Sequence, residues 1–334
     1  MKITVLGSGG WGTALALLLL ENGNEVTMWS WCQEESDRLR ANRENPMLAG
    51  VTLPEALGLT ADMSCVKDSD VVLLATPSFA VRSTAAQLKS LARPGTVLVS
   101  VGKGFEKGTS LTLSQVIRSE VGDTCPVVVL CGPTHAEEVG RGVPTAIVAA
   151  SADKRAAELV QDLFMSPRFR VYTSSDVVGC EIGAGLKNVI ALCAGVIDGM
   201  GYGDNTRAML MTRGLTEMAR LGTAMGGDQR TFAGLTGVGD LIVTCTSVHS
   251  RNHTYGEMIG KGKDPQEAME AMNGKVVEGY YAAATGMELA RKFGVELPIT
   301  RAAYEVLYEG KAVKDEFHKL MTRRKNHEVE DAWV

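Results

Sequence analysis

The sequence predicts an α/β protein in which a doubly wound, mostly parallel sheet is followed by an all-helical half. Three observations predict it. Residues 2–30 run from an apolar strand through a glycine turn into a helix and a second strand. Short β-branched runs then alternate with helical stretches to about residue 175. Beyond Asp176 the strand-like runs cease and long helical periodicities take over.

The elements follow in order. Lys2–Leu6 (KITVL) reads as a buried strand, and 13–20 (TALALLLL) as a helix. Between them GSGGWG places Gly7, Gly9 and Gly12 in the spacing G-x-G-x-x-G. Gly7 permits the tight turn, Gly9 lets the backbone approach a pyrophosphate, and Gly12 lets helix and strand pack closely. The helix N-terminus offers unpaired N–H groups and partial positive charge to that anion. A second strand at 25–30 (EVTMWS) completes the context for a Rossmann-like dinucleotide site; a merely structural tight turn is the other reading. Residues 71–75, 96–101, 127–131 and 145–150 read as further strands, with helical segments such as 80–91 between them. Near-continuous apolar strands imply a parallel sheet covered on both faces, with ligands outside the carboxyl ends of the strands.

Asp176 is an expected N-cap, and helices are expected over 177–199, 206–225, 265–272, 280–293, 300–308 and 313–322. The chain is therefore divided near 178 into a dinucleotide-binding domain, 1–178, and a helical substrate and catalytic domain, 179–334. The final KNHEVEDAWV reads as a solvated tail, in which the pattern does not account for Trp333.

Composition narrows the function. With 334 residues, 45% hydrophobic and 22% charged, the chain can bury sizeable cores. A net charge of −5 argues against nucleic acid, and the first basic block is the short Arg323-Arg324-Lys325. No leader and no membrane span are expected. Seven scattered cysteines without a C-x-x-C fit reduced thiols in the cytoplasm. Cys245, His249 and His253 fall at i, i+4 and i+8, but without a fourth ligand or second cluster no metal is expected.

Several polar residues stand out in the second half. Lys187 lies mid-helix, and its turn-spaced neighbours Cys180, Ala184, Ala191 and Gly195 are small, leaving room for a small ligand. The opposing stripe of Ile182, Leu186, Val189, Ile190 and Cys193 is a core face. A surface lysine with a snorkelling stem fits the same spacing. Residues 234–256 read as a polar, glycine-rich segment between helices. In it Asp240 follows a Gly-x-Gly turn, and Ser250-Arg251-Asn252 groups the donors that grip a phosphate. An ordinary loop capped by Ser250 is equally consistent. Lys103 in VGKGFE and Gly132-Pro133-Thr134-His135-Ala136 each follow a strand end, where sheet ligands sit. His135 is a candidate acid or base, or a helix-starting structural donor; Lys103 is equally a candidate solvated loop lysine.

Taken together, the segments GSGGWGTALA, VGKGFE, CGPTHAEE, EIGAGLKNVIALCAGVIDGMGYGDNTRA, GLTGVGDLIVTCTSVHSRN and VVEG closely resemble the soluble NAD(P)-dependent glycerol-3-phosphate dehydrogenases, over nearly the whole length. The resemblance implies reversible reduction of dihydroxyacetone phosphate to sn-glycerol 3-phosphate, the precursor supplied to phospholipid synthesis. It implies Lys187 as proton donor and acceptor. It implies substrate contacts from Lys103, Gly132, Thr134, Lys187, Asp240, Ser250, Arg251 and Asn252. Cofactor contacts are implied for Gly10, Trp11, Lys103, Ala136, Arg251, Val276 and Glu278, beside the glycines Gly7, Gly9 and Gly12. Thr134 stands where serine is common in the family, and both keep a hydroxyl. One departure concerns the cofactor: Trp29-Ser30-Trp31-Cys32-Gln33 offers neither an acid for an NAD ribose nor an arginine for a 2′-phosphate. NAD and NADP both remain open, with Ser30 or Gln33 as neutral contacts.

The expected chemistry is hydride transfer to the ketone with proton delivery by Lys187, whose ammonium also stabilises the forming alkoxide. Burial and Lys103 should lower the Lys187 pKa, and Asp240 should oppose that. Arg251, Ser250 and Asn252 would hold the substrate phosphate. A hydroxyacid or hydroxyacyl dehydrogenase is the nearest rival and a nicotinamide-sensing regulator a more distant one; a homodimer is also expected. Function requires folding to bring Lys187 and Arg251 close to the glycine turn.

Overall fold

The computed structural model describes residues 1–325, 327 and 328. Trp333 and most of the expected tail lie outside the described residues. The chain begins with β1 (Lys2–Leu6), α1 (Gly10–Glu21), β2 (Glu25–Trp29), α2 (Gln33–Asn42) and β3 (Gly58–Thr60). It continues through β4 (Val71–Leu74), α3 (Val81–Leu91), β5 (Val97–Ser100), α4 (Leu113–Val121) and β6 (Val127–Cys131). Then come α5 (Ala136–Gly140), β7 (Thr145–Ala150), α6 (Lys154–Phe164) and β8 (Phe169–Ser174).

These strands form one eight-stranded sheet in the order β3-β2-β1-β4-β5-β6-β7-β8. Buried side chains from α1 and α6 (Leu15, Leu19, Val160, Phe164) pack on one face. Those from α3 and α4 (Val81, Leu88, Val116, Ile117) pack on the other, so the central strands are buried on both sides. The chain leaves β1 toward β2 on one side and reaches β4 on the other. The crevice outside these strand ends is where such sheets bind ligands.

The sheet is mostly parallel, as expected. All pairings are parallel except β6 with β7, which is antiparallel. The link over 132–144 holds only the short α5, and the chain re-enters the sheet from the end at which it left. The sequence predicts neither β3 nor β8. In β8, Arg170 and Tyr172 alternate with buried Phe169 and Val171, giving a half-exposed strand with no continuous apolar run.

The elements that follow among the described residues are helices: α7 (Val177–Gly199), α8 (Asp204–Ala224), α9 (Gln229–Phe232), α10 (Asp240–Thr246), α11 (Arg251–Gly260), α12 (Pro265–Ala271), α13 (Glu278–Phe293), α14 (Pro298–Glu309) and α15 (Val313–Met321). Asp176 caps α7 as expected, accepting from Gly179 N. By length and composition α7 could cross a bilayer, yet 89% of its apolar window is buried inside the protein. It is the core helix around which the others pack.

The segment 234–256 is not a loop. Residues 235–239 form a π-helical turn leading into α10, and α11 starts at Arg251. The glycines that suggested a loop serve close packing. A Cβ on Gly237 would collide with the Phe232 backbone, and one on Gly183 of α7 would lie 2.5 Å from the Thr236 carbonyl. A second glycine seam joins α7 to α11. Any side chain at Gly195 or Gly199 would strike the carbonyls of His253 or Glu257, and any at Gly256 or Gly260 those of Leu192 or Val196. The two backbones therefore touch, and α11 holds its N-terminus beside the middle of α7.

Candidate active site

At the end of β1 the chain turns through Gly7, whose φ of +121° excludes most side chains and where a Cβ would lie 2.7 Å from the Ala75 carbonyl. A Cβ on Gly12 would collide with the Gly7 carbonyl. Gly9 has no atom within 4 Å of the corresponding position, leaving open space at the N-terminus of α1. Ala136 packs near Gly10, 3.7 Å from where a Cβ there would sit. The Nε1 of Trp11 is a buried donor without a partner. An open glycine cradle, a helix N-terminus and an orphaned donor together fit a dinucleotide. Asn45, which the sequence did not single out, locks the turn: its Nδ2 donates to Ser8 O at 2.8 Å and to Thr13 Oγ1 at 2.7 Å.

Three charged side chains converge at the carboxyl end of the sheet. Lys187 Nζ on α7 donates to Asp240 Oδ1 at 2.5 Å and to Thr244 Oγ1 at 2.7 Å. Lys103, three residues past β5, donates to Asp240 Oδ2 at 3.0 Å, to Gly132 O at 2.8 Å and to Thr134 Oγ1 at 3.3 Å. Asp240 and Thr244 lie one turn apart on α10, and Thr244 Oγ1 passes its own proton to Asp240 O at 2.6 Å. Lys187 is 4% exposed and Asp240 fully buried, while the Lys103 side chain keeps 18% of its surface open. Burial pushes the Lys187 ammonium down to about 8; Asp240 pulls it up and Lys103 down. Two cations on one carboxylate leave net positive charge, which suits an anionic substrate. Thr244 was not found from the sequence, because its role depends on 240–246 being a helix.

The other expected residues divide. Asn252 is buried and holds the helices together: Nδ2 donates to Asn188 Oδ1 at 2.9 Å, and Oδ1 accepts from Gly279 N at 2.8 Å. Ser250 caps α11, its Oγ accepting from His253 N at 3.3 Å. Arg251 is exposed, and among the described residues it makes no hydrogen bond or ion pair. It lies near enough to Glu278 to draw that carboxyl down against the larger upward push of burial. Glu278 accepts from Ser78 Oγ at 3.0 Å and sits against Gly104, joining α13 to the sheet half. Val276, half-buried, lies two residues before it.

His135 starts α5 without a side-chain cap. Its Nε2 faces Val243 O at 3.5 Å and its ring lies 5.9 Å from that of His249; burial chiefly lowers its pKa. His253 instead bonds Asp198 at 2.7 Å. Among the described residues no three His, Cys, Asp or Glu side chains group as metal ligands, and all seven cysteines are free.

Comparison with known proteins agrees with this geometry. Residues 2–157 match the model of the NAD-dependent glycerol-3-phosphate dehydrogenase N-terminus, and residues 176–318 that of its C-terminus. A glycerol-3-phosphate dehydrogenase [NAD(P)+] of Moorella thermoacetica is 52% identical over 331 residues, 98% of each chain. One from Desulfitobacterium hafniense is 48% identical over 99% of this chain and 94% of its own. A crystal structure of glycerol-3-phosphate dehydrogenase from Coxiella burnetii superposes with a TM-score of 0.91 at 36% identity, covering 96% of this chain and 99% of that one.

Proposed function

The chain belongs to the NAD-dependent glycerol-3-phosphate dehydrogenase family, and we propose that Lys187, Asp240 and Arg251 carry its chemistry. It is an NAD(P)-linked oxidoreductase that interconverts dihydroxyacetone phosphate and sn-glycerol 3-phosphate. The observation that carries the residue assignment is the convergence of Lys103 and Lys187 on the buried Asp240.

A bound nicotinamide cofactor supplies the hydride that reduces carbon 2 of the ketone. Lys187 delivers the proton to the oxygen on that carbon. An ammonium with a pKa of about 8 is charged at neutral pH yet gives up its proton readily, and it recovers one from solvent after each turnover. Its positive charge, with that of Lys103, stabilises the oxygen as it turns anionic. Asp240 and Thr244 fix the ammonium in direction. The free guanidinium fork of Arg251 takes the substrate phosphate, a remote grip that positions the carbonyl. Ser250 and Asn252 act mainly by setting the start of α11, and each retains a donor toward that phosphate. Gly132 and Thr134 place Lys103. Gly7, Gly9, Gly10, Trp11, Gly12, Ala136, Val276 and Glu278 form the cofactor cleft.

The same reading includes a dinucleotide-binding half at 1–178, a catalytic half at 179–334, a homodimeric enzyme in the cytoplasm and glycerol phosphate supply for phospholipid synthesis. The test is a spectrophotometric assay of dihydroxyacetone phosphate reduction by wild type and Lys187→Ala. Wild-type turnover that the variant loses supports the assignment, and equal turnover removes Lys187 as proton donor.

A further inference from the structure

A groove of about 540 Å³ opens in the helical half, between α7, α8, α14 and α15. Its walls are apolar: Leu192 and Val196 of α7, Leu210 of α8, Val306 of α14, and Phe317 and Met321 of α15. Apolar clefts of roughly 300–1,000 Å³ hold compact apolar groups. None of Lys103, Lys187, Asp240 or Arg251 lines it, so it is not part of the catalytic cluster. Met321 is 55% exposed, and an apolar concavity left open in this way marks a surface that something covers.

The course of the chain supplies the cover. The helix α15 ends at Met321, itself a wall residue, and farther on Glu328 comes back to the groove. Its backbone carbonyl accepts from Arg213 Nη1 at 3.4 Å, and its carboxylate lies 3.8 Å from the same nitrogen. Arg213 lines the groove, so the segment 329–334 starts at its edge. Extended, the chain from Glu328 to Trp333 reaches roughly 17 Å. Along α8 the groove runs from Met209 to Arg220, roughly 16 Å of helix. Composition fits as well. The segment reads VEDAWV, and an indole gains more from burial than almost any other side chain. Each carboxylate on the wall already has a partner within the fold: Glu217 at the start of α14, Glu296 on Arg323 and Glu316 on Lys319. Arg213 pairs instead with Glu328, and Glu330 and Asp331 continue that acidic run toward a wall that also carries Arg220 and Arg323.

We propose that residues 329–334 dock back onto this groove, with the Trp333 indole filling it, as a strap that seals the joint of α7, α8, α14 and α15. This replaces the solvated tail that pattern alone suggests, and it gives a place to the one large apolar side chain in a charged stretch. The contact is independent of the chemistry at Lys187.

The test labels the full chain with fluorotryptophan and follows the fluorine lines as a soluble gadolinium chelate is added. Trp333→Phe assigns the Trp333 line, and Trp31, 79% exposed, is the reference for an open indole. In wild type the Trp333 line should broaden several-fold less than that of Trp31. Met321→Glu, at an exposed wall position, and Arg213→Glu, at the tail contact, should each raise its broadening to the Trp31 level with circular dichroism unchanged. Equal broadening of the two lines in wild type overturns the proposal. So does protection that neither variant relieves. Protection lost on dilution, as an oligomer dissociates, puts a second copy of the chain in the groove and overturns it as well.

Discussion

Lys187 and Asp240 stand 53 residues apart in the chain, yet their ammonium and carboxylate meet at 2.5 Å, both buried. Lys103 closes on the other carboxylate oxygen at 3.0 Å. The carboxylate thus restrains two cations that would otherwise repel each other in a poorly solvated cleft.

Replacing Lys187 by alanine should lower kcat by roughly 10²–10⁴, the usual contribution of a positioned general acid. Cofactor binding should survive, because the glycine turn lies on other elements. Stopped-flow turnover and cofactor titration measure the two effects separately.

The pH profile should follow the Lys187 pKa of about 8. Ketone reduction needs the ammonium, so its kcat/KM should fall as pH rises through about 8. Alcohol oxidation needs the free amine and should fall as pH drops below the same point. Asp240 raises this pKa, so Asp240→Asn should move both inflections to lower pH. Inflections that stay in place in this variant would count against Lys187 as the titrating group.

Arg251→Ala should weaken capture of the phosphorylated ketone by on the order of 2–5 kcal/mol once the guanidinium is desolvated by its ligand. The loss should appear in KM for dihydroxyacetone phosphate measured at saturating cofactor. An unaltered KM would remove the phosphate assignment.

Glu217 links α8 to the start of α14, accepting from Ile299 N at 2.5 Å and from Thr300 N and Oγ1, each at 3.2 Å. Burial outweighs these bonds and raises its pKa from 4.5 to about 7. A carboxyl raised on folding stabilises most below its unfolded value. Its contribution is therefore full below about pH 4.5 and lost as pH rises to about 7. Glu217→Gln should flatten the dependence of Tm on pH within that window, measured by calorimetry.

A methyl group at Gly12 has no room beside the Gly7 carbonyl. Gly12→Ala should cost about 1–3 kcal/mol of stability through overpacking. It should also weaken cofactor binding, which chemical denaturation and fluorescence titration would resolve.

The sheet half was legible because its central strands are continuous apolar runs and its glycine turn has a fixed spacing. The half-exposed β8 and the three-residue β3 carried no such signal. In the helical half, Lys187 was ambiguous because α7 is buried on nearly every side, so periodicity defines no face for it. Residues 234–246 misled because glycine density reads as loop, whereas here it permits a π turn against Phe232 and α7. Thr244 and Asn45 depend on contacts far along the chain, which local pattern does not encode.

The seam in which Gly195, Gly199, Gly256 and Gly260 let two backbones touch acts as a fixed gauge block between amine and guanidinium. With no side chain in the joint, nothing there can flex or be trimmed to retune the spacing. Even the smallest enlargement, well away from any reacting atom, should force the two helices apart and carry the phosphate grip out of reach of the amine.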